Sequence, residues 1–129
     1  MKTFIPINVH GALDYLGGAL TMASPWIFGF AHLGGAPFFL PLFGGFLQLL
    51  TTVFTKHPTG IIKVVPLQLH LFIDVMLGFL LLVSPFLSRF YPFVVLPHVI
   101  LGGYTFMSGI FTNGSAFLDK VDVLDSRGR

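Results

Sequence analysis

Two histidine–aspartate pairs are the residues of this chain whose types and spacing could do chemistry. His10 and Asp14 are four residues apart, and His70 and Asp74 repeat that spacing sixty residues later. Side chains four residues apart lie on one face of an α-helix, so each pair would present an imidazole and a carboxylate together. These groups bind zinc, iron or manganese, and they also form buried hydrogen-bonded pairs.

Three interpretations of the four side chains follow from their chemistry. They could form a structural polar core between helices, a site for a metal, an ion or a proton, or contacts to an organic ligand or haem. On the second interpretation His10, Asp14, His70 and Asp74 are the ligands and the cofactor is a divalent metal. On the third, His10 and His70 are the axial ligands of a haem. Further hydrogen bonds at comparable depth could come from Gln48, Thr51, Thr52, Thr105 and Ser108.

The composition indicates which elements position these residues. Of 129 residues 54% are apolar and only 9% are charged, against roughly 25% charged in an ordinary soluble domain. A net charge of +2 leaves too little cationic surface for nucleic acid, and the absence of cysteine excludes disulfides and thiolate metal sites. The predicted partner is therefore the lipid bilayer. A homo-oligomer, in which the partner is a second copy of the chain, is also compatible with this composition.

Runs without formal charge predict four membrane-crossing helices. Residues 15–55 and 90–118 carry no charged side chain, and one helical crossing takes roughly 20 apolar residues. The longer run must contain a turn, and the two glycines and the proline within residues 31–37 predict that the turn lies there. The predicted fold is an all-α, polytopic four-helix membrane bundle, with helices over about 6–30, 38–54, 66–87 and 93–111.

Lysine and arginine placement predicts the orientation of this bundle. With four crossings, both termini and the loop 55–65 share one side of the membrane, and the opposite side holds Arg89 alone. Cationic loops favour the cytoplasm, so both termini and the tail 113–129 are predicted to be cytoplasmic. The cations on that side are Lys2, Lys56, Lys63, Lys120, Arg127 and Arg129.

The chain also matches itself at an offset of 60 residues. Between 5–30 and 65–90, eight of 26 positions are identical, including His10/His70, Asp14/Asp74 and Ser24-Pro25/Ser84-Pro85. We predict one transmembrane domain, 1–129, with repeat one at about 5–55 and repeat two at about 65–112. Because each repeat crosses twice, both copies enter from the same side, unlike the inverted repeats of many transporters.

A second repeated motif closes the first helix of each copy. Ser24-Pro25-Trp26 is echoed by Ser84-Pro85-Phe86, and we interpret both as structural, because proline removes a helix hydrogen bond that the serine hydroxyl can replace. Tryptophan at this depth would anchor in the membrane interface. Within a twice-repeated helical hairpin, the motif resembles the SPW repeat family of small bacterial membrane proteins. The resemblance implies a bacterial inner-membrane location and no particular reaction.

No catalytic residue is predicted. The chain has no cysteine nucleophile and no serine at a recognisable nucleophile elbow, so a non-enzymatic bundle or partner scaffold is favoured over an enzyme. His98, near the outer end of the fourth helix, is predicted to be an interfacial or helix-end residue outside the His/Asp layer. Close helix contacts are predicted at Gly17, Gly18, Gly44, Gly45, Gly102 and Gly103.

Overall fold

The computed structural model describes residues 3–56 and 60–112. This part of the chain contains four α-helices, α1 (Ile7–Ile27), α2 (Gly35–Val53), α3 (Leu67–Leu87) and α4 (Leu96–Phe111), and a 3-10 turn at Ala31–Leu33. The all-α four-helix fold predicted from the sequence is confirmed. The predicted tail 113–129 and His57 lie outside the described residues.

The helix ends follow the breakers in the sequence, with small shifts. Pro6 and Pro66 have extended ψ angles of 151° and 141° and stand just before α1 and α3 as N-caps. Helix α1 ends three residues earlier than predicted, because Gly29 adopts a left-handed φ of 72°. Helix α2 begins at Gly35 and includes Pro37 in its first turn, where a missing N–H costs no helix bond.

The helices pack most closely as two hairpins, α1 with α2 and α3 with α4. A Cβ atom on Gly45 would lie 2.5 Å from the backbone nitrogen of Met22, and one on Gly102 would lie 2.5 Å from that of Leu82. These glycines therefore let the helix backbones of each hairpin approach closely. The predicted contacts at Gly44 and Gly103 are wrong, because no atom lies within 4 Å of a Cβ built there.

The two Ser-Pro motifs share one hydrogen-bonding arrangement inside their helices. Pro25 cannot donate to the carbonyl of Thr21, and the Ser24 hydroxyl donates to that carbonyl at 2.7 Å. Ser84 donates in the same way to the carbonyl of Leu81, also at 2.7 Å. Each serine replaces the bond that the following proline removes, so both helices continue beyond the proline. The aromatic residues that complete the motifs are exposed, Trp26 by 59% and Phe86 by 56%.

Replacing these serines tests the arrangement. Ser24→Ala and Ser84→Ala should each lower the free energy of unfolding by about 1–3 kcal/mol, because a buried carbonyl loses its donor. The measurement is thermal unfolding of the purified protein in detergent, followed by circular dichroism. Ser88→Ala, at an exposed serine just beyond α3, is the matched control and should leave the midpoint unchanged. Equal midpoints for all three variants would contradict the role assigned to the hydroxyls.

Burial in the bundle is inverted relative to a soluble protein. Among the described residues six leucine, valine and phenylalanine side chains are buried, whereas fifteen polar or charged side chains are. Many large apolar side chains face outward, including Leu16, Phe43, Phe46, Phe79, Ile100 and Met107. An apolar exterior around a polar interior is the arrangement expected for helices surrounded by lipid.

Two of the four helices, Gly35–Val53 and Leu67–Leu87, have the length and the apolar composition needed to cross a membrane. Helix α4 is apolar and 16 residues long, about 24 Å at the usual rise. Helix α1 has 21 residues, but Asn8, His10 and Asp14 lower its mean hydropathy.

One end of the bundle is closed by two short backbone pairings. Ile5 forms a parallel bridge with Thr112, and Thr55 forms one with Val65. The first ties the segment before α1 to the end of α4, and the second ties the end of α2 to the segment before α3. As a result Thr55 and Thr112 lie beside the first turns of α3 and α1, where the histidines are.

Candidate functional site

The structure brings His10 and Asp14 of α1 together with His70 and Asp74 of α3. All four side chains are fully buried, and one ligand atom of each lies within 4.8 Å of those of the other three. We call these four residues the His/Asp quartet. The spacing of four residues places each pair on one helix face, and these two faces meet at the centre of the bundle.

Imidazoles and carboxylates alternate around the quartet. His10 Nε2 lies 2.8 Å from Asp14 Oδ2 and 2.9 Å from Asp74 Oδ2. His70 Nε2 lies 3.2 Å from Asp74 Oδ2 and also contacts Asp14 Oδ2. Each histidine therefore pairs with the aspartate of its own helix and with that of the other helix. The two rings meet edge to face, with centroids 5.6 Å apart.

The opposite nitrogen of each imidazole is held by a threonine. His10 Nδ1 lies 2.7 Å from Thr112 Oγ1, and His70 Nδ1 lies 2.8 Å from Thr55 Oγ1. Both hydroxyls donate their single proton to a carbonyl one turn earlier, Thr112 to Ser108 at 2.6 Å and Thr55 to Thr51. Each threonine oxygen must therefore accept, so each Nδ1 carries a proton.

We assign the shared protons of the quartet to the histidines, because each Nε2 contacts two carboxylates. With Nδ1 protonated, an Nε2 atom that donates to a carboxylate belongs to an imidazolium. Two imidazoliums and two carboxylates carry no net charge, and each positive group contacts two negative ones. Charges removed from water are stable only when they are paired and hydrogen-bonded, and here every charge is paired and all but one carboxylate oxygen, Asp74 Oδ1, accept a hydrogen bond.

The two aspartates differ in their remaining contacts. Asp14 Oδ1 accepts from Gln48 Nε2 at 3.3 Å, whereas Asp74 Oδ1 has no hydrogen-bond partner among the described residues. Thr105 follows the crossing glycine Gly102 by three residues, as Gln48 follows Gly45, and its shorter side chain makes no described hydrogen bond to Asp74. Asp74 therefore keeps one buried carboxylate oxygen without a donor.

Of the residues predicted to supply further hydrogen bonds, some contact the quartet directly and others orient the threonines that hold the histidines. Gln48 donates to the quartet, and Thr52 Oγ1 lies 3.4 Å from Asp14 Oδ2 while donating at 2.6 Å to the Gln48 carbonyl. Thr51 and Ser108 contribute carbonyls that orient Thr55 and Thr112. The sequence did not predict a role for those two threonines, although each follows a phenylalanine at the end of the second helix of its hairpin.

His98 lies apart from the quartet, at the beginning of α4. Its ring is buried between Phe30 and Phe90, with centroid separations of 5.1 and 4.8 Å. Nε2 donates to the Pro37 carbonyl at 2.9 Å, which ties α4 to the first turn of α2. The predicted position at a helix end holds, but the side chain faces the protein interior.

Fold and site together define an all-α bundle of two helical hairpins, with a polar layer at the centre and Ser-Pro motifs closing α1 and α3. A family model, the SPW repeat domain, matches residues 8–112. The chain therefore belongs to the SPW repeat family, as its Ser-Pro-Trp motif predicted. Comparison with curated proteins and with solved structures gave no match.

Proposed function

We propose that this protein is a multi-pass protein of the bacterial inner membrane, with all four helices crossing the bilayer. The observation that supports insertion is the inverted burial, since exposed leucine and phenylalanine surround buried histidine, aspartate, glutamine and threonine. Lys56 and Lys63 lie in the connection between α2 and α3, and Arg89 follows α3 at the other end, which favours cytoplasmic termini. The repeated hairpins would then be two parallel copies within one transmembrane domain.

Reporter fusions test this orientation. Green fluorescent protein fused after Arg129 should fluoresce, and alkaline phosphatase fused at the same position should be inactive. Phosphatase inserted after Leu33, between α1 and α2, should be active, because that turn would lie on the outer side. An active phosphatase after Arg129 together with an inactive phosphatase after Leu33 would show the opposite orientation.

The function that the site supports best is a non-catalytic one, in which the His/Asp quartet clamps α1 to α3. The two hairpins pack against each other through α2 with α3 and α1 with α4, and the quartet adds buried side-chain bonds between α1 and α3 at the centre. The single observation that carries this proposal is the cross-pairing of His10 with Asp74 and of His70 with Asp14. A bundle held in this way can serve as a compact scaffold for a partner in the membrane.

Two double variants test whether the contacts between the carboxyl groups and the histidines are needed to hold α1 to α3. Asp14→Asn with Asp74→Asn keeps the shape of the quartet, and the amides can donate to neutral Nε2 atoms, so we expect a folded protein with a similar thermal midpoint. Asp14→Ala with Asp74→Ala removes every contact between the carboxyl groups and the histidines and should unfold at a much lower temperature. A wild-type midpoint for the alanine pair would refute the clamp.

The haem alternative does not fit the residues present. Two axial histidines require a porphyrin ring between their imidazoles. In the structure the carboxylates of Asp14 and Asp74 lie between the Nε2 atoms of His10 and His70 and contact both. We therefore derive no redox role from these histidines.

A further inference from the structure

We infer that the His/Asp quartet is also a binding site for one divalent transition-metal ion of the zinc class, with His10 Nε2, His70 Nε2 and one oxygen each of Asp14 and Asp74 as ligands. This inference goes beyond the clamp, because a clamp needs only mutual pairing of the four side chains. It concerns what the same four donor atoms bind when the ion is supplied.

The donor atoms have the number and the spacing that such an ion requires. Tetrahedral zinc has four ligands with bonds of about 2.0–2.1 Å, which places donors about 3.4 Å apart. In the quartet the neighbouring donors lie between 2.8 and 3.2 Å apart in three cases and closer in the fourth, and none is more than 4.8 Å from another. To bind the ion, these three contacts must lengthen by about 0.2–0.6 Å and the fourth by more, through torsions of the four side chains.

The threonines orient both imidazoles for coordination. A histidine that binds metal through Nε2 usually donates its Nδ1 proton to an oxygen, which sets the tautomer and the ring plane. Thr112 accepts from His10 Nδ1 and Thr55 from His70 Nδ1, at 2.7 and 2.8 Å. Since both hydroxyls are committed as donors to carbonyls, the arrangement keeps Nε2 directed to the centre of the quartet.

Charge and donor chemistry select the class of ion. A dication replaces the two protons on the Nε2 atoms, so that two neutral imidazoles, two carboxylates and the ion still sum to zero. Nitrogen donors favour zinc or cobalt over magnesium and calcium, which prefer oxygen ligands and higher coordination numbers. Asp74 Oδ1, which is buried and has no hydrogen-bond partner among the described residues, is available as a further ligand to the metal ion.

Titration of the purified full-length protein tests the inference. The protein in detergent is first stripped with a chelator, and then zinc is added by calorimetry and cobalt by absorption spectroscopy. We expect one ion per chain and, with cobalt, the intense visible bands of tetrahedral coordination. Thr55→Val with Thr112→Val should weaken zinc binding by about 10–100-fold, because the supporting hydrogen bonds are lost.

Variants distinguish this site from other histidines and from the clamp. Asp14→Asn with Asp74→Asn should remain folded and lose stoichiometric binding, whereas His32→Gln and His98→Gln should bind as the wild type does. Absence of stoichiometric zinc and cobalt binding in the folded wild-type protein would overturn the metal site while leaving the clamp intact. Unchanged binding in the paired asparagine variant would also overturn it.

Discussion

Replacing His10 by alanine is expected to destabilise the protein by about 3–5 kcal/mol, the typical cost of removing one partner from a buried ion pair. The variant removes the group that contacts Asp14 at 2.8 Å and Asp74 at 2.9 Å. One imidazolium then faces two carboxylates in a fully buried layer, so one negative charge is left without compensation. Reversible unfolding of the purified protein in mixed micelles measures the change.

A double variant shows whether charge balance is the cause. His10→Leu with Asp74→Leu removes one positive and one negative group, and His70 remains in contact with Asp14. Its loss of stability should be clearly smaller than the sum for the two single variants, because the remaining pair is neutral overall. Additive losses would show that the quartet acts through packing alone. His32→Ala, at an exposed histidine, is the control for loss of an imidazole.

Enlarging the glycines at the hairpin crossings is expected to have the second large effect. In Gly45→Ala the new Cβ would lie 2.5 Å from the Met22 nitrogen and 2.6 Å from the Gly18 carbonyl oxygen. These are backbone atoms, which can move only if α1 and α2 separate. Overpacking of this kind typically costs about 1–3 kcal/mol. Gly102→Ala meets the backbone of Leu82 and Gly78 in the other hairpin and should cost about as much.

The neighbouring glycines provide matched controls for both variants. A Cβ on Gly44 or Gly103 meets no atom within 4 Å. Gly44→Ala and Gly103→Ala should therefore be neutral or stabilising by up to about 1 kcal/mol, since alanine is the better helix former. The Gly45 and Gly102 variants act in different hairpins, so their losses should add. Equal thermal midpoints for Gly44→Ala and Gly45→Ala would contradict the close crossing.

The glycine positions show how much of the helix packing can be predicted from the sequence. Paired glycines in α2 and α4 predicted close helix contacts, but at each pair only one glycine, Gly45 or Gly102, faces a neighbouring backbone. Adjacent helix positions differ by about 100° around the axis, so the choice depends on the rotation of each helix. That rotation is decided by the partner helix and cannot be derived from the composition of one segment.

The ends of the elements show a similar division. Charge gaps, prolines and glycines predicted all four helices within a few residues, because they act locally on the backbone. The carbonyls that receive no hydrogen bond from Pro25 and Pro85 accept one from the preceding residue, Ser24 or Ser84, which is also a local effect. The backbone bridges that bring Thr55 and Thr112 to the histidines join residues far apart along the chain, or on different elements, and no local pattern indicates them.

Local and periodic features of the chain thus specify the number of helices, their approximate limits, the repeated Ser-Pro motif and the identity of the four ionisable residues. These follow from hydropathy, backbone chemistry and the helical period, which act within one turn or one segment. The tertiary structure alone decides that the His/Asp pairs of α1 and α3 meet at the centre of the bundle and which threonine orients each imidazole. It also leaves Asp74 with an unpartnered oxygen where Asp14 has Gln48. Those features depend on the packing of distant helices, and packing has no signature within any one of them.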